Sequence, residues 1–298
     1  SEMCIRDRLI KDDHEISLIK KACSISADAH IEAMKSVKGG DSEQFIESMY
    51  IHEFSKRGAR YPAYNPIVAG GENACVLHYV ENNQQLNNDD LLLVDAGCEY
   101  EMYAADITRT FPVSGKFSDE QLAIYKVVLD AMNAAIDMVK PGNHVMQPQE
   151  ISEKVITEGL VRLGLLDGDP EELHKSGAYK EFYMHKIGHW LGLDVHDAGS
   201  VEENNKPRKL MPGMVTTVEP GIYIRPNKPE IEFKLLERDP KEIRERRKLL
   251  GMEKATKLEN EEIKDAKSIK HKIPKDLLGI GIRIEAVSYT HLTLPTKA

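Results

Sequence analysis

The chain has 298 residues, of which 41% are hydrophobic and 30% charged, a composition typical of a globular protein with a large core. Its formal net charge of -9 argues against nucleic acid or an anionic membrane as the main partner. No apolar run approaches the ~20 residues that a membrane span needs. The four cysteines form no CxxC pair, which suits a reducing compartment and predicts a cytoplasmic protein.

The predicted elements begin with a helix over 12–37, where Asp12 and Glu15 have the spacing of a capping box. A pair of glycines ends this helix, and a second helix runs to about Gly58. The remaining predicted elements are a strand over 91–95, a strand over 103–111, helices over 118–140 and 150–164, and strands near residue 183 and over 214–219.

The two ends of the chain differ from the rest and are related to each other at the level of DNA. One coding of Met3 to Asp7 is the reverse complement of a coding of Val287 to His291. A sequencing adaptor read through at both ends of a DNA fragment explains this relation better than selection on protein does. We therefore expect residues 1–8 and 286–298 to be non-native and to pack against nothing consistently, which leaves 9–285 as the domain.

A weak internal repeat indicates two related halves. The segments SVKGG and MVKPG each end a first helix, and each is followed by a second helix. The pattern L-x8-[DE]-x-G then occurs twice, with the carboxylates Asp95 and Glu219, and later apolar segments carry Asp106 and Glu285. Each half thus contributes two carboxylates, which we expect to face each other across a pseudo-twofold axis.

Three histidines, His185, His189 and His196, lie in the segment MHKIGHWLGLDVHD. The HxxxH spacing is typical of a zinc peptidase helix, but that motif needs Glu directly after the first histidine, and Lys186 stands there. An isolated histidine is more often a core or surface residue. Three within twelve residues of a glycine-rich segment favour a site, and one of them could join the four carboxylates.

A set of four carboxylates and one imidazole is rich in oxygen and lacks thiolate. It is too anionic for one zinc ion and suits a pair of harder divalent ions. Two such ions ~3.5–4 Å apart supply a hydrolytic nucleophile near neutral pH. An alternative role as turn carboxylates fits Asp95 alone, but it does not explain the matching Glu219.

Four segments, VDAGCEYEMYAADITRTFPVSGKF, HWLGLDVHD, TVEPGIYI and GIGIRIE, resemble the aminopeptidase P members of the pita-bread metallopeptidase family, peptidase family M24. The resemblance implies an α+β pita-bread fold, in which two pseudo-symmetric αβ halves surround a dinuclear manganese site. It implies a metal-dependent aminopeptidase that hydrolyses the N-terminal Xaa-Pro bond of peptides through a metal-bridging hydroxide. It also implies an N-terminal domain, which the sequence does not include, and a homo-oligomer in the full-length protein.

The resemblance also assigns roles to residues of this sequence. The implied metal ligands, of which Asp106 and Glu285 bridge the two ions, are Asp95, Asp106, His189, Glu219 and Glu285. Glu219 is in addition the implied proton shuttle. The other implied catalytic residues are His78 in the substrate pocket, His185 and His196 at the substrate and the tetrahedral intermediate, and Tyr223 and Arg283 beside the metals.

The sequence departs from the family in three places. Lys186 and Ile187 stand where the family usually has glycine and a small or apolar residue. A charged insertion over about 226–278 is predicted to be a solvated helix on a hairpin tip, with a partner-binding arm as the alternative. The residues after Glu285 replace the family's strand, so we expect that strand end to fray and the second metal to bind weakly.

Other functions of this fold remain open from the sequence. A Xaa-Pro dipeptidase shares the metal ligands and differs in its pocket. A methionine aminopeptidase shares the fold, but HWLGLDVHD does not resemble its usual motif. Some pita-bread proteins have lost their metals and act as binding modules, whereas all five ligand positions are filled here.

Overall fold

The computed structural model describes residues 7–235, 240–251, 254, 255, 257, 258, 261 and 267–290. The helices are α1 (Asp13–Ser36), α2 (Glu43–Lys56), α3 (Asp119–Ile136), α4 (Gln147–Arg162), α5 (Pro170–Ser176) and α6 (Pro240–Leu250). The strands are β1 (Tyr61–Pro62), β2 (Ile67–Gly70), β3 (Leu91–Asp95), β4 (Cys98–Tyr100), β5 (Tyr103–Ala104), β6 (Thr108–Pro112), β7 (Glu202–Glu203), β8 (Lys206–Pro207), β9 (Val215–Val218), β10 (Gly221–Tyr223), β11 (Glu230–Leu235), β12 (Lys267–Lys272), β13 (Gly281–Arg283) and β14 (Ala286–Tyr289).

The long helices begin where the sequence places their caps. The Asp12 side chain accepts from the backbone N–H of Glu15, and the Glu15 side chain accepts from the backbone N–H of Asp12, which confirms the capping box. Ser118 and Gln121 form the same reciprocal pair at the start of α3. These caps satisfy orphan backbone donors and so define the helix starts.

Two halves repeat the same strand pairing. In the first half β3 pairs with β6 and β4 pairs with β5, all antiparallel. In the second half β9 pairs with β14 and β10 pairs with β13, again antiparallel. Each half therefore consists of two extended segments that pair along their length, β3–β4 with β5–β6 and β9–β10 with β13–β14. Each segment bends between its two strands, so the two bends of a half lie side by side.

The helices of each half cover its strands with a separate apolar core. The first core joins α1 and α2 to β3, and Ile46, Leu92 and Val94 are fully buried in it. The second joins α3 and α4 to β10 and β13, with Ile156 and Ile282 fully buried. The bends of the first half contribute Ala96, Ala105 and Ile107 to the first core, and Ile284 beside the last bend belongs to the second core.

Two of the predicted strands are wrong in detail. The strand expected over 103–111 is interrupted between Ala104 and Thr108. A Cβ at Gly97 would overlap the carbonyl oxygen of Ala105, so the two chains approach here in a way that only glycine permits. The strand expected near Tyr183 is absent, since that residue follows a short 3-10 helix, Ala178–Glu181.

The expectation that the ends pack against nothing is wrong for the described residues. Residues 286–289 form β14, and Ala286 and Val287 are buried against β9. At the other end, Arg8 donates to the side chains of Asp194 (2.6 Å) and Asp197. The origin of these residues in adaptor DNA stays a prediction, and residues 1–6 and 291–298 lie outside the described part.

The charged insertion begins and ends as a hairpin, β11 with β12, and carries α6 beyond it. Its base is not a solvated excursion as expected, because Ile231, Phe233, Ile273 and Leu277 are buried in the second core. Much of the tip lies outside the described residues.

No helix in the described part of the chain is long and apolar enough to cross a bilayer. Cys23, Cys75 and Cys98 are free thiols, and Cys23 and Cys98 are buried.

Candidate metal centre and active-site pocket

The four predicted carboxylates all lie at the bends of the paired strands. Asp95 ends β3, and Asp106 lies between β5 and β6. Glu219 lies between β9 and β10, and Glu285 lies between β13 and β14. The equivalent positions in the two halves therefore carry the carboxylates, as the internal repeat predicts.

Asp95 and Asp106 are joined by a tyrosine. The hydroxyl of Tyr64 lies 2.6 Å from Asp95 Oδ1 and 2.7 Å from Asp106 Oδ1. The second oxygen of Asp95 accepts from Arg283 Nη2 at 2.6 Å, and Arg283 is buried. Asp95 is thus paired with a cation, whereas no ion pair with Lys or Arg reaches Asp106 in the described part.

His189 brings its Nε2 atom to the same carboxylates. This atom lies 3.2 Å from Asp106 Oδ2 and 3.5 Å from Glu219 Oε1. The other ring nitrogen, Nδ1, lies 3.0 Å from the carbonyl oxygen of Trp190 and donates to it. That hydrogen bond fixes the tautomer in which Nε2 of neutral His189 offers a lone pair, the arrangement usual for a metal-ligating histidine.

Threonines orient the two glutamates. Thr217 donates its hydroxyl to Glu219 Oε1 at 3.0 Å, and Thr108 donates to Glu285 Oε2 at 2.7 Å. The remaining oxygen of Glu285, Oε1, is buried and has no hydrogen-bond donor among the described residues. A buried carboxylate oxygen without a partner is costly, so this atom points to a ligand that the protein itself does not supply.

Burial disfavours the charged form of three of these carboxyl groups. It raises the pKa of Glu219 to about 7, although the charge of His189 opposes the shift. Burial, reinforced by the charges of Asp106 and Glu219, raises the pKa of Glu285 well above its usual range. Burial also raises the pKa of Asp95, against the opposing charge of Arg283. Such a cluster ionises fully only when further positive charge is present.

These observations fit a divalent metal. Ligand atoms of Asp106, His189 and Glu285 all lie within 4.8 Å of one another. Glu219 contacts His189 from the same side, and Asp95 shares Tyr64 with Asp106. The structure thus brings all five predicted ligands to one cluster, in which oxygens dominate and one imidazole nitrogen joins them, as hard divalent ions prefer.

The cluster forms one side of a cavity of about 530 Å³. Its lining includes His78, His185 and His196, as the sequence predicts, together with Lys186 and Val195. A volume of this order suits a short peptide or another small ligand.

The predicted neighbours of the metals form a hydrogen-bond chain. Arg283 Nη1 donates to the hydroxyl of Tyr223 at 3.2 Å, and that hydroxyl donates to His185 Nε2 at 2.9 Å. His185 Nδ1 in turn lies 2.9 Å from the carbonyl oxygen of Lys186. Burial lowers the pKa of His185 to about 4, which agrees with a neutral ring engaged at both nitrogens.

His196 differs from His185. Its ring stands edge-on to that of His189, with centroids 4.2 Å apart, and its ring nitrogens have no hydrogen-bond partner in the described part of the chain. Burial and the charge of His189 lower the pKa of His196. A neutral imidazole with a free N–H therefore faces the pocket.

Sequence reasoning missed three site residues, Tyr64, Thr108 and Thr217. The two threonines had a usable signal, because each lies two positions from a carboxylate and residues at i and i+2 share a face in extended chain. Tyr64 lies in an irregular segment before β2 and had no comparable signal.

The comparisons with known proteins agree with this geometry. The sequence matches metallopeptidase family M24 over residues 17–289. It is 54% identical over 217 residues to a Xaa-Pro aminopeptidase of Haemophilus influenzae and 47% identical over 220 residues to one of Escherichia coli. These matches cover 73% and 74% of this chain and 50% of each relative, so the chain spans about half the length of the curated relatives it matches.

Solved structures give the same result. Pseudomonas aeruginosa aminopeptidase PepP superposes with a TM-score of 0.81 at 42% identity, over 97% of this chain and 56% of that chain. An Escherichia coli aminopeptidase P variant in complex with substrate gives a TM-score of 0.79 at 39% identity, over the same shares. The pita-bread fold predicted from the sequence is confirmed, and the chain belongs to metallopeptidase family M24.

Proposed function

We propose that this chain is the catalytic part of a metal-dependent aminopeptidase that removes an N-terminal residue preceding proline. One observation carries the proposal: carboxylates from both halves converge with His189 on the wall of a cavity of peptide size. The relatives that are named Xaa-Pro aminopeptidase support the choice of peptide bond.

We propose two divalent ions, most simply manganese, held by the five-residue cluster. Asp106, His189 and Glu285, whose ligand atoms all lie within 4.8 Å of one another, would hold the ions together with Asp95 and Glu219. When bound, such ions would acidify a water for attack on the scissile carbonyl and polarise that carbonyl.

Glu219 is suited to move a proton during hydrolysis. Thr217 holds Oε1 and leaves the other oxygen of Glu219 free to accept a proton from the attacking water. Glu219 can then pass this proton to the leaving nitrogen of proline, which has no N–H of its own before cleavage.

His196 is better placed than His185 to donate to the developing oxyanion. Both nitrogens of His185 are engaged, one with Tyr223 and one with a backbone carbonyl. His196 lines the cavity with free ring nitrogens, and a positioned N–H donor stabilises charge that develops in the transition state. We assign His185 and Tyr223 to holding the substrate side of the pocket in place.

Lys186 favours a second candidate, a Xaa-Pro dipeptidase. Its exposed side chain lines the same cavity, and an ammonium group there suits the free carboxylate of a dipeptide. In an aminopeptidase that acts on longer peptides, this position would face a neutral part of the chain.

A peptide panel with added manganese tests both candidates. It contains Xaa-Pro dipeptides, longer Xaa-Pro peptides with free and amidated C-termini, and peptides that begin with methionine. Cleavage of longer Xaa-Pro peptides supports the aminopeptidase. Cleavage confined to dipeptides, with loss of that preference in Lys186→Ala, identifies a dipeptidase, and no cleavage of any Xaa-Pro peptide refutes both.

A further inference from the structure

Glu43 is a fully buried carboxylate outside the five-residue cluster of proposed metal ligands. It is the first residue of α2 and is 0% exposed. Its Oε1 atom accepts from the backbone N–H of Gly70 at 2.8 Å and from Asn73 Nδ2 at 2.9 Å. Its Oε2 atom accepts from the hydroxyl of Tyr79 at 2.8 Å and from the backbone N–H of Gln84 at 3.0 Å.

All four donors lie within one segment, 70–84, which begins at the last residue of β2 and returns toward β3. The same segment supplies Leu77, His78 and Val80 to the lining of the cavity. Glu43 therefore holds one side of the segment, and the opposite side of the segment faces the cavity where a peptide would bind.

A carboxylate is needed at this position because all four partners are donors. An ionised carboxylate accepts only and has about four lone-pair sites, so four donors satisfy it. An isosteric glutamine would turn an NH₂ group toward two of these donors and leave them unpaired. The four bonds, rather than a basic side chain, offset the cost of burying Glu43.

A second buried polar side chain, that of Asn82, also anchors the segment. Asn82 accepts from the backbone N–H of Val68 at 3.0 Å and donates to the carbonyl of Pro66 at 2.9 Å, both of which lie near β2. These bonds fix the far end of the segment. Near His78, by contrast, the side chains of Val76 and Val80 are exposed. The buried polar contact there is the hydrogen bond from the adjacent Tyr79 to Glu43.

We propose that Glu43 is a positioning residue that sets the substrate-facing wall of the pocket, acting through Tyr79 on His78. The inference rests on the proposed function for its kinetic consequence, but not for its structural one. Disturbing these four hydrogen bonds of Glu43, the Glu43 clamp, should weaken peptide binding and leave the predicted metal ligands in place, because none of the four reaches such a ligand.

The test uses Tyr79→Phe, Glu43→Gln and the matched control Tyr103→Phe. Tyr103 also donates its hydroxyl to a glutamate at 2.8 Å, but that glutamate is Glu15 on α1. One lost hydrogen bond corresponds to roughly a two- to tenfold change in an equilibrium. We expect Tyr79→Phe to raise KM for an Xaa-Pro peptide within this range, Glu43→Gln to raise it further, and Tyr103→Phe to leave it unchanged. kcat and the manganese affinity should stay within about threefold.

Two further measurements separate positioning from general destabilisation. Hydrogen exchange of segment 70–84 should become faster in Tyr79→Phe and Glu43→Gln but not in Tyr103→Phe. In a His78→Ala background, Tyr79→Phe should have little further effect on KM, since the two changes act through one contact surface.

Unchanged exchange in both clamp variants, faster exchange with unchanged KM, or full additivity with His78→Ala would each overturn the proposal. If Glu43→Gln does not fold, Tyr79→Phe decides alone, because it removes one of four bonds and leaves no buried charge unpaired. If the wild-type chain cleaves no Xaa-Pro peptide, the proposed function fails, and the exchange data alone then support or overturn the clamp.

Discussion

At the scale of single residues, two threonine hydroxyls orient carboxylates of the proposed metal site. Thr108 donates to Glu285 Oε2 and also lies 3.2 Å from Arg283 Nε, from which it accepts. Thr217 has the corresponding role beside Glu219. Because each threonine holds a carboxylate without supplying charge, its loss should loosen the site without changing its formal charge.

Thr108→Val should lower the affinity for manganese by about 10–100-fold, which is typical for loss of a group that orients a metal ligand. The matched control is Thr110→Val on the same strand, since Thr110 is equally buried but bonds only the backbone of Arg283. We expect both variants to lose a similar amount of stability and only Thr108→Val to lose affinity in a calorimetric titration. Equal affinities would show that the threonine does not orient Glu285.

His30 is a residue whose titration should be visible in the stability of the fold. It is fully buried on α1, its Nε2 atom lies 3.1–3.2 Å from the carbonyls of Ile107 and Ala96, and its Nδ1 atom accepts from the Tyr50 hydroxyl at 2.8 Å. Burial lowers the pKa of His30 from 6.5 to about 3. The neutral form is thus the one that folding favours.

The sign of the pH effect follows from this lowered pKa. Between about pH 6.5 and 3 the unfolded chain binds a proton at His30 that the folded chain does not, so the stability from this group is present above pH 6.5 and is lost as the pH falls. His30→Gln should make the free energy of unfolding depend less on pH in this window, by up to ~1.4 kcal/mol per pH unit. The exposed His52 gives the control, His52→Gln. An unchanged slope in His30→Gln would contradict the prediction.

At the scale of elements, the sequence predicted the helix starts and strands that local chemistry determines. Its predictions were wrong for the elements whose limits depend on tertiary contacts. The capping box at Asp12 and the buried strand ending at Asp95 were both predicted, because helix caps and apolar runs are local signals. The break around Asp106 was not, because it depends on the close approach of Ala105 to Gly97. The strand predicted near Tyr183 is also absent, because this residue follows a short 3-10 helix and packs in the second core.

The strand β14 is the element for which the sequence prediction differs most from the structure. Its residues were expected to fray, yet they pair with β9 in register from Ala286 with Val218 to Tyr289 with Val215. This pairing occupies the place that β6 has in the first half, where it pairs with β3. Residues 286–289 fit a strand, whatever the origin of the DNA, because Val287 and Tyr289 are residue types enriched in strands.

Truncation after Glu285 tests this element. It leaves the ladder groups of β9 unpaired beside Glu219 and exposes Val215, which is now buried. We expect a lower melting temperature and a weaker manganese affinity than in a chain truncated after Thr290, which keeps β14. Equal melting temperatures and affinities in the two truncated chains would restore the original expectation of a frayed end.

At the scale of the whole molecule, the cluster of proposed metal ligands joins the two halves. Asp95 and Asp106 come from the first half, and Glu219 and Glu285 come from the second. The backbone N–H of Glu285 also donates to the carbonyl of Thr108 at 3.0 Å, so the halves already meet beside the cluster. Burial is the main cause of the raised pKa values of Glu219 and Glu285, and the charges of neighbouring carboxylates add to it, so full ionisation of the cluster opposes that contact.

Bound metal should therefore stabilise the whole fold and not only the site. A ligand that binds only the folded state, present at 100 times its Kd, adds about 2.7 kcal/mol to the free energy of unfolding. For a domain of this size, such an increase corresponds to a rise in melting temperature of roughly 4 °C. We expect this rise in wild-type chain titrated with manganese after treatment with a chelator.

Asp106→Asn should abolish this rise in melting temperature together with turnover, because a neutral amide is a poor bridge between two cations. The exposed Asp194 provides the matched control, and Asp194→Asn should keep the full rise. A rise of the same size in Asp106→Asn would mean that manganese stabilises the chain from a different site.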